Sequence, residues 1–582
     1  MSVQGFVHSV EQGRIAGFCR LVVSLAAAVA LVIAYLLFQF RGLSTPVGID
    51  QAQIAHEIAR GNGFSTKNIR PLEAHLLQQT LGKALVGNVP DLYHAPLSPI
   101  VNAGFLYLFG SQLGQRVDTG DPVYRGDRLI AAASVLFFLL ALVVNFFLAQ
   151  LLFDAKVAWL ATGVVLVADQ FWQFSLSGLP QMLLLFLVSC SLWCLAHAVI
   201  ARANDQNPYL WLLVLGIFEG ALALCHPITL WISGASWLFC SVYFRPRPLG
   251  ALLPGIICLA LFSAWIVRDL QISKTPFGIS PFALLDHVVH SESGWMRLNE
   301  PDLSEVTPPA FRVRAIMNLK EQLGSLYLLL GGTAVAPLFL AALFHPFKRP
   351  ETNAFKWLIF LMLLGAFAGS VSIGTNGQSL SPNQTLILLG PVVATYGYAM
   401  VIVLFYRLKL EQSIYRYGIY AVFFLVTGLP TLVAFLLGGP RNQFPPYAPG
   451  VMQMIGALTK PDEIIVSDMP WAMAWYADRK SLWLPLWRRD FYEYRDSESL
   501  GAPIVGLYLT PISRDSHFLS DIATGEYKDW ASIVLGFPQG LSDFPLKSSV
   551  GLMNNECLLL MDRNRWSKTV EKQSVPDPRF RE

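Results

Sequence analysis

Apolar runs dominate the first three quarters of the chain. They fall at about 21–40, 97–112, 127–151, 155–173, 178–200, 209–225, 227–244, 249–267, 325–345, 354–374, 382–405 and 414–437. A helix of about 20 apolar residues spans the roughly 30 Å of hydrocarbon in a bilayer. The pattern therefore predicts an all-α polytopic membrane protein. From Pro445 the long apolar runs stop and charged residues become common. There Ile464–Ser467, Ser481–Pro485, Ile504–Thr510 and Cys557–Met561 read as short strands, with a helix over Pro470–Tyr476. Two domains are expected: a transmembrane unit over 1–444, which includes a polar first loop at 41–96, and a soluble α/β domain over 445–582.

Lys and Arg collect in cytoplasmic loops. Arg14 and Arg20 put the N-terminus inside, and Arg245, Arg247, Lys348, Arg349, Arg407, Lys409 and Arg416 mark further inside loops. The loops 41–96 and 268–322 and the C-terminal domain then face outward. That arrangement needs an odd number of spans, so 11 or 13 are expected rather than the twelve runs counted. The run after Arg20 is too long for a signal-peptide core and Arg41 follows it without a small-residue cleavage site, so it reads as an uncleaved first span.

Composition agrees. Hydrophobic residues make up 54% of the chain and charged residues only 14%, against about 25% in soluble proteins; mean hydropathy is +0.48. A net charge of +3, without a basic tract interleaved with aromatics, excludes a nucleic-acid partner. Six of the seven cysteines lie in or beside apolar runs and read as packing residues. No Cys/His spacing suits zinc, and no phosphate-binding glycine loop, dinucleotide fingerprint or HExxH pattern occurs in a fitting context.

Chemistry concentrates in the first loop. Ile49–Ala59 has helix formers and no Gly or Pro, and Gly61 and Gly63 follow it. Asp50 and Glu57 are seven residues apart and share a face. They suit general-base work and the positioning of a polar acceptor; the plainer reading has Asp50 as a helix cap and Glu57 in solvent. Arg60, Lys67, Arg70 and Lys83 are loop cations able to hold a phosphate, or simply to meet solvent and headgroups. His94 stands in YHAPL, beside a proline that starts an apolar run, and Arg268 with Asp269 ends another. Asp169, Glu219 and His226 are ionisable groups within or at the ends of apolar runs, where such groups face cavities or make helix–helix hydrogen bonds.

Five stretches carry a resemblance: GIDQAQIAHEIARGNGFST from Gly48, DLYHAPLSPIVNAGFLYLFG from Asp91, SGLPQMLLLFL from Ser177, ALCHPITLWI from Ala223 and WIVRDLQISKTPFG from Trp265. In their order and spacing, with DEIIVSDMPWAMAWYADRKSLWLP from Asp462, the chain resembles GT-C membrane glycosyltransferases of the protein O-mannosyltransferase-like and lipid A aminoarabinose transferase-like kind. The resemblance implies a polyprenyl-phosphate sugar donor used at the outer face of the inner membrane, and a lipid, protein or glycan acceptor. It places the family's carboxylate at Asp50, as the base of an inverting transfer, and donor-phosphate contacts at Lys83, His94 and Arg268. Glu57, Asp169 and Gln181 are assigned to positioning. His94 stands where relatives often have Lys, and Gln181 where they often have an acid, so no obligatory metal is expected, although a divalent ion is not excluded by the residues. Two other readings compete: a glycolipid transporter or flippase, and a catalytically inactive glycolipid-binding relative.

Overall fold

The computed structural model describes residues 14–566 apart from 83, 86, 111–122, 292, 376–379, 411–413, 437–448, 498, 516–518, 538–539, 541, 543 and 554–555. Every expected apolar run forms helix, but fewer of them form full spans than the 11 to 13 expected. Among the described residues seven helices are long and apolar enough to cross a membrane: Leu21–Gln39, Arg125–Leu152, Gln181–Ala203, Arg247–Ser273, Pro350–Ile373, Leu386–Arg407 and Tyr415–Leu436.

The shortfall has local causes. The run at 155–173 bends by 55° between Ala155–Val167 and Asp169–Leu176. Leu97–Phe109 and Tyr209–Cys225 are 13 and 17 residues long, about 20 and 26 Å at 1.5 Å per residue. The run at 325–345 breaks at Gly331 and Gly332, both at positive φ, into Leu326–Leu329 and Leu338–Phe344. Pro227 opens a 3-10 turn that leaves only Leu230–Tyr243 as α-helix. The chain is a multi-pass membrane protein in which short and broken helices pack beside full spans. Close approach uses small residues: a Cβ at Gly216 would lie 2.7 Å from the Pro254 carbonyl oxygen and one at Gly220 2.6 Å from Leu261. Glu219 on the same helix accepts hydrogen bonds from Trp237 Nε1 at 2.6 Å and from Ser236, so it serves as a helix–helix link.

The first loop folds as a layer over these helices. It holds the helix Pro46–Ala59, the strand β1 (Ser65–Thr66), the strand β2 (Asn68–Ile69), the helix Pro71–Leu81 and the strand β3 (Val89–Pro90), which pairs antiparallel with β1. The C-terminal region supplies β4 (Ile464–Ser467), β5 (Lys480–Trp483), β6 (Ile504–Leu509), β7 (Ser548–Leu552) and β8 (Cys557–Met561). They form a six-stranded sheet in the order β2-β5-β4-β6-β8-β7. β2, β5, β4 and β6 run parallel, while β8 and β7 are antiparallel additions. β4, β6 and β8 are buried along their whole length, which is why they read as continuous apolar runs. The expected strands and the helix Pro470–Tyr476 are all present; β7 adds one more. The edge strand β2 is not from the C-terminal region at all. It comes from the first loop, with Asn68 opposite Ser481 and Ile69 opposite Leu482.

Candidate functional site

The loop helix begins at Thr45. Its hydroxyl accepts the Gly48 N–H at 3.2 Å and donates to the Ser177 carbonyl at 2.9 Å, and Pro46 takes the first helical position. Asp50 is therefore not the cap that spacing alone allows; it lies a turn further on. Gly48 brings this helix against the SGLPQ turn so closely that a Cβ would sit 2.7 Å from the Ser177 carbonyl oxygen.

Asp50 is 6% exposed. Its Oδ2 accepts from Arg70 Nη2 at 2.5 Å and from Asn68 Nδ2 at 3.0 Å. Its Oδ1 is buried and makes no hydrogen bond. His94 Nε2 lies 3.7 Å from Oδ2 and is likewise buried and unbonded. An unbonded oxygen and an unbonded ring nitrogen on two neighbouring buried side chains mark where a polar ligand would complete the bonding.

Arg70 is the hub. It is 1% exposed, and its Nη1 donates to Glu73 at 3.0 Å and Asp91 at 2.9 Å. Its guanidinium lies 4.8 Å from the Tyr93 ring centre. Three buried carboxylates thus share one guanidinium, and two of them, Glu73 and Asp91, titrate apart. Burial, with Asp91 beside it, pushes the Glu73 carboxyl up to about 8 against the pull of Arg70. Burial would raise Asp91 too, but His94 and Arg70 outweigh it and hold that carboxyl well below the usual range. Asp91 also orders the YHAPL segment: it accepts the backbone N–H of His94 at 2.8 Å and of Tyr93 at 3.2 Å, and faces His94 Nδ1 at 3.3 Å.

The other expected residues divide. Arg268 adjoins the site through the Asp91 backbone. Its Nη1 donates to the Asp91 carbonyl at 2.7 Å and to Asp269 at 2.8 Å, and it stacks on Trp265 and Phe64. Gln181 is fully buried at the start of its helix; its Nε2 donates to the Ser381 and Pro382 carbonyls while Oε1 has no partner. Asp169 sits at the bend after Ala168 and accepts from Tyr35 at 2.7 Å and Gln173 at 2.6 Å, which ties it to the first span. Lys83 lies outside the described residues.

Glu57 belongs to a second cluster at the junction with the C-terminal sheet. Lys67 Nζ is 3.1 Å from Glu57 and also reaches Asp478, and Arg60 pairs with Asp478 at 2.8 Å. Among the described residues His56, Glu57 and Asp478 form the one group spaced for a metal ion. Both carboxylates already hold cationic side chains, so a metal would have to displace them. Burial, helped by Arg60, lowers His56 to about 4. The same junction seats Trp475 against His56 at 5.8 Å between ring centres. Trp475 Nε1 and the Tyr476 hydroxyl donate to the buried Asp127 at 2.7 and 2.8 Å.

Asn68, Glu73 and Asp91 are residues that the sequence reading did not single out, and Arg70 enters it only as one of four loop cations. The available signals were slight: Glu73 three residues after Arg70, and Asp91 three before His94.

No family model and no curated protein matches the chain. Solved structures do. ArnT from Cupriavidus metallidurans bound to undecaprenyl phosphate aligns with a TM-score of 0.53 at 14% identity, over 93% of this chain and 98% of that one. The oligosaccharyltransferase AglB from Archaeoglobus fulgidus, in complex with an inhibitory peptide and a dolichol-phosphate, aligns with a TM-score of 0.51 at 12% identity, over 89% and 72%. At such identities the likeness is one of fold. At that level the expected GT-C fold holds over most of the chain.

Proposed function

We propose that this protein is a membrane glycosyltransferase that moves a sugar from a polyprenyl-phosphate donor to a lipid, protein or glycan acceptor. One observation carries the reading: Asp50 is buried with Oδ2 anchored by Arg70 and Asn68 while Oδ1 stays unbonded, and His94 Nε2, 3.7 Å from Oδ2, is unbonded too. The fold likeness to proteins solved with undecaprenyl phosphate and dolichol-phosphate supports the choice of donor.

In this mechanism the acceptor hydroxyl or amine gives its proton to Asp50 Oδ1. The freed lone pair forms a bond to the anomeric carbon with inversion, and the bond from that carbon to the phosphate oxygen breaks. The electron pair leaves with polyprenyl phosphate. Negative charge grows on that phosphate, so cations aimed at it lower the barrier. His94, Arg268 and Lys83 take this role. Asp169, Gln181 and Glu57 act through the helices and loops they hold in place, and no resident metal is assigned. The site faces outward from the inner membrane, with the N-terminus in the cytoplasm and the C-terminal domain outside.

The test is release of polyprenyl phosphate in proteoliposomes offered a mixture of polyprenyl-phosphate sugars and membrane acceptors. The intact protein is expected to release it. Asp50→Asn keeps the Arg70 and Asn68 contacts within reach yet cannot take the proton, and is expected to lose about 10²–10⁴-fold in rate. A folded Asp50→Asn protein with full activity overturns the base assignment. Tight donor binding without turnover in the intact protein moves the transporter and inactive-relative readings ahead.

A further inference from the structure

The stretch between Arg268 and Gln322 reads as a polar outside loop, yet it contains a helix turned inside out. The helix Pro308–Gly324 buries Arg314, Asn318 and Gln322, which are four residues apart and so form one stripe. Its apolar residues on the opposite side point outward: Val313 is 52% exposed, Ile316 65%, Met317 64% and Leu323 58%. A surface helix in water shows the reverse pattern, polar side out. We propose that this helix lies in the lipid bilayer, its apolar side against hydrocarbon, hung by its polar stripe from the end of the span Pro350–Ile373.

The buried stripe shows how the helix is hung. Arg314 donates to the carbonyls of Ile373 and Leu284. Asn318 Nδ2 donates to the Val371 carbonyl at 2.9 Å, and Gln322 Nε2 to Thr375 Oγ1 at 3.2 Å. Val371 and Ile373 belong to the last turn of the span, whose carbonyls lack intrahelical partners. Inside the hydrocarbon of a bilayer such groups have no water to turn to, so they must be met by protein. The loop helix meets them, and that contact fixes its height at the membrane face.

Three further observations name lipid as what covers the apolar side. The exposed apolar surface continues into Leu326, Tyr327 and Leu328, at 37%, 44% and 52% exposure, so it is a belt rather than a spot. Phe311 borders an apolar cavity of about 690 Å³ whose other walls include Pro281, Phe282, Leu284 and Leu303, and Leu284 and Leu303 are themselves 43% and 55% exposed. The exposed charges on the helix are Arg312 and Lys320. Lys320 lies within the apolar face, three residues from Met317 and Leu323 and four from Ile316, and a long cationic side chain there reaches up to a lipid phosphate while its stem stays in hydrocarbon. The inference needs only a membrane protein and stands apart from the glycosyltransferase reading.

The experiment uses the full chain in phosphatidylcholine–phosphatidylglycerol vesicles. Ile316→Cys, Leu323→Cys and Glu300→Cys are made separately with Cys19→Ser, and each introduced thiol carries a nitroxide. Collision with dissolved oxygen, which concentrates in lipid, is compared with collision with a water-soluble nickel chelate. The oxygen-to-nickel ratio at 316 and 323 is expected to exceed that at Glu300, which is 80% exposed, several-fold. Equal ratios at the three sites put the helix in water and overturn the proposal. Protection from both reagents at 316 and 323 also overturns it, because the face would then be covered by protein. All three substituted side chains are exposed, so folding is not the variable.

Discussion

Arg70→Met separates a built site from a chance cluster. The guanidinium is the one cation in direct contact with Asp50, Glu73 and Asp91 together. Taking away one partner of a buried ion pair costs about 3–5 kcal/mol, because the charges left behind have neither water nor a partner. The geometry argues for the lower end. Asp91 keeps His94 at 3.3 Å, and Glu73, already pushed up to about 8 by burial and Asp91, takes a proton readily. The loss then falls on Asp50, which keeps the Asn68 hydrogen bond and His94 at 3.7 Å. The expected cost is about 3 kcal/mol, read as a fall of several degrees in the thermal unfolding of the purified protein in detergent. Adding Glu73→Gln removes one stranded carboxyl and is expected to recover part of that loss. Arg70→Lys keeps the charge without the two-armed geometry and falls between. Glu73→Gln alone tests the titration. A buried carboxyl whose folded pKa is raised contributes stability that is fully present below the unfolded value near 4.5 and is lost as pH rises through about 8. The intact protein should therefore lose stability across that window more steeply than Glu73→Gln. An Arg70→Met protein as stable as the parent, or a double variant less stable than Arg70→Met, refutes the argument.

The junction between the first loop and the C-terminal sheet carries the remaining predictions. His56 has its pKa lowered to about 4 by burial and by Arg60, so its contribution is present above the unfolded value near 6.5 and is lost as pH falls through about 4. His56→Gln should flatten that acid limb in thermal unfolding measured from pH 7 down to pH 4; an unchanged acid limb sinks the assignment. Trp475→Phe keeps the ring against His56 but removes one donor to buried Asp127, which then keeps the Tyr476 hydroxyl and the Leu43 backbone N–H. A loss of about 1–3 kcal/mol is expected, together with faster proteolytic cleavage of the C-terminal domain from the membrane part, and unchanged cleavage would show that the contact does not hold the domain.

Much of this architecture was legible because it rests on local pattern. Apolar runs of bilayer length gave helices, and the apolar stretches at 464–467 and 557–561 gave buried strands. Span number was less legible, since a run of apolar residues looks the same whether it stays straight or bends at Ala168 or breaks at Gly331 and Gly332. The Pro308–Gly324 helix was hidden by its charges: Arg312, Arg314 and Lys320 mark a polar loop to any reader of composition, and only the packing shows that Arg314 faces in. In the candidate site, Asp50 and His94 stood out by type and place, but Arg70 was one of four equal loop cations. Nothing within the loop tells it apart from Lys67, which serves Glu57 and Asp478 instead.

What sorts those cations is a strand only two residues long. Asn68 and Ile69 have no strand signal of their own, and two residues cannot form a stable strand alone. They become β2 because β5 of the C-terminal sheet offers an open parallel edge, with the Ser481 N–H donating to the Lys67 carbonyl at 2.8 Å. Side chains alternate along a strand, so that pairing decides where Lys67, Asn68 and Arg70 can reach. Lys67 meets the junction carboxylates, while Asn68 and Arg70 meet Asp50. A slip of one residue in the β2–β5 register would turn these side chains to the opposite faces. The C-terminal region is thus more than a cover over the membrane helices: its sheet edge sets the register that puts the guanidinium and the amide on the carboxylate, from more than 400 positions away in the chain.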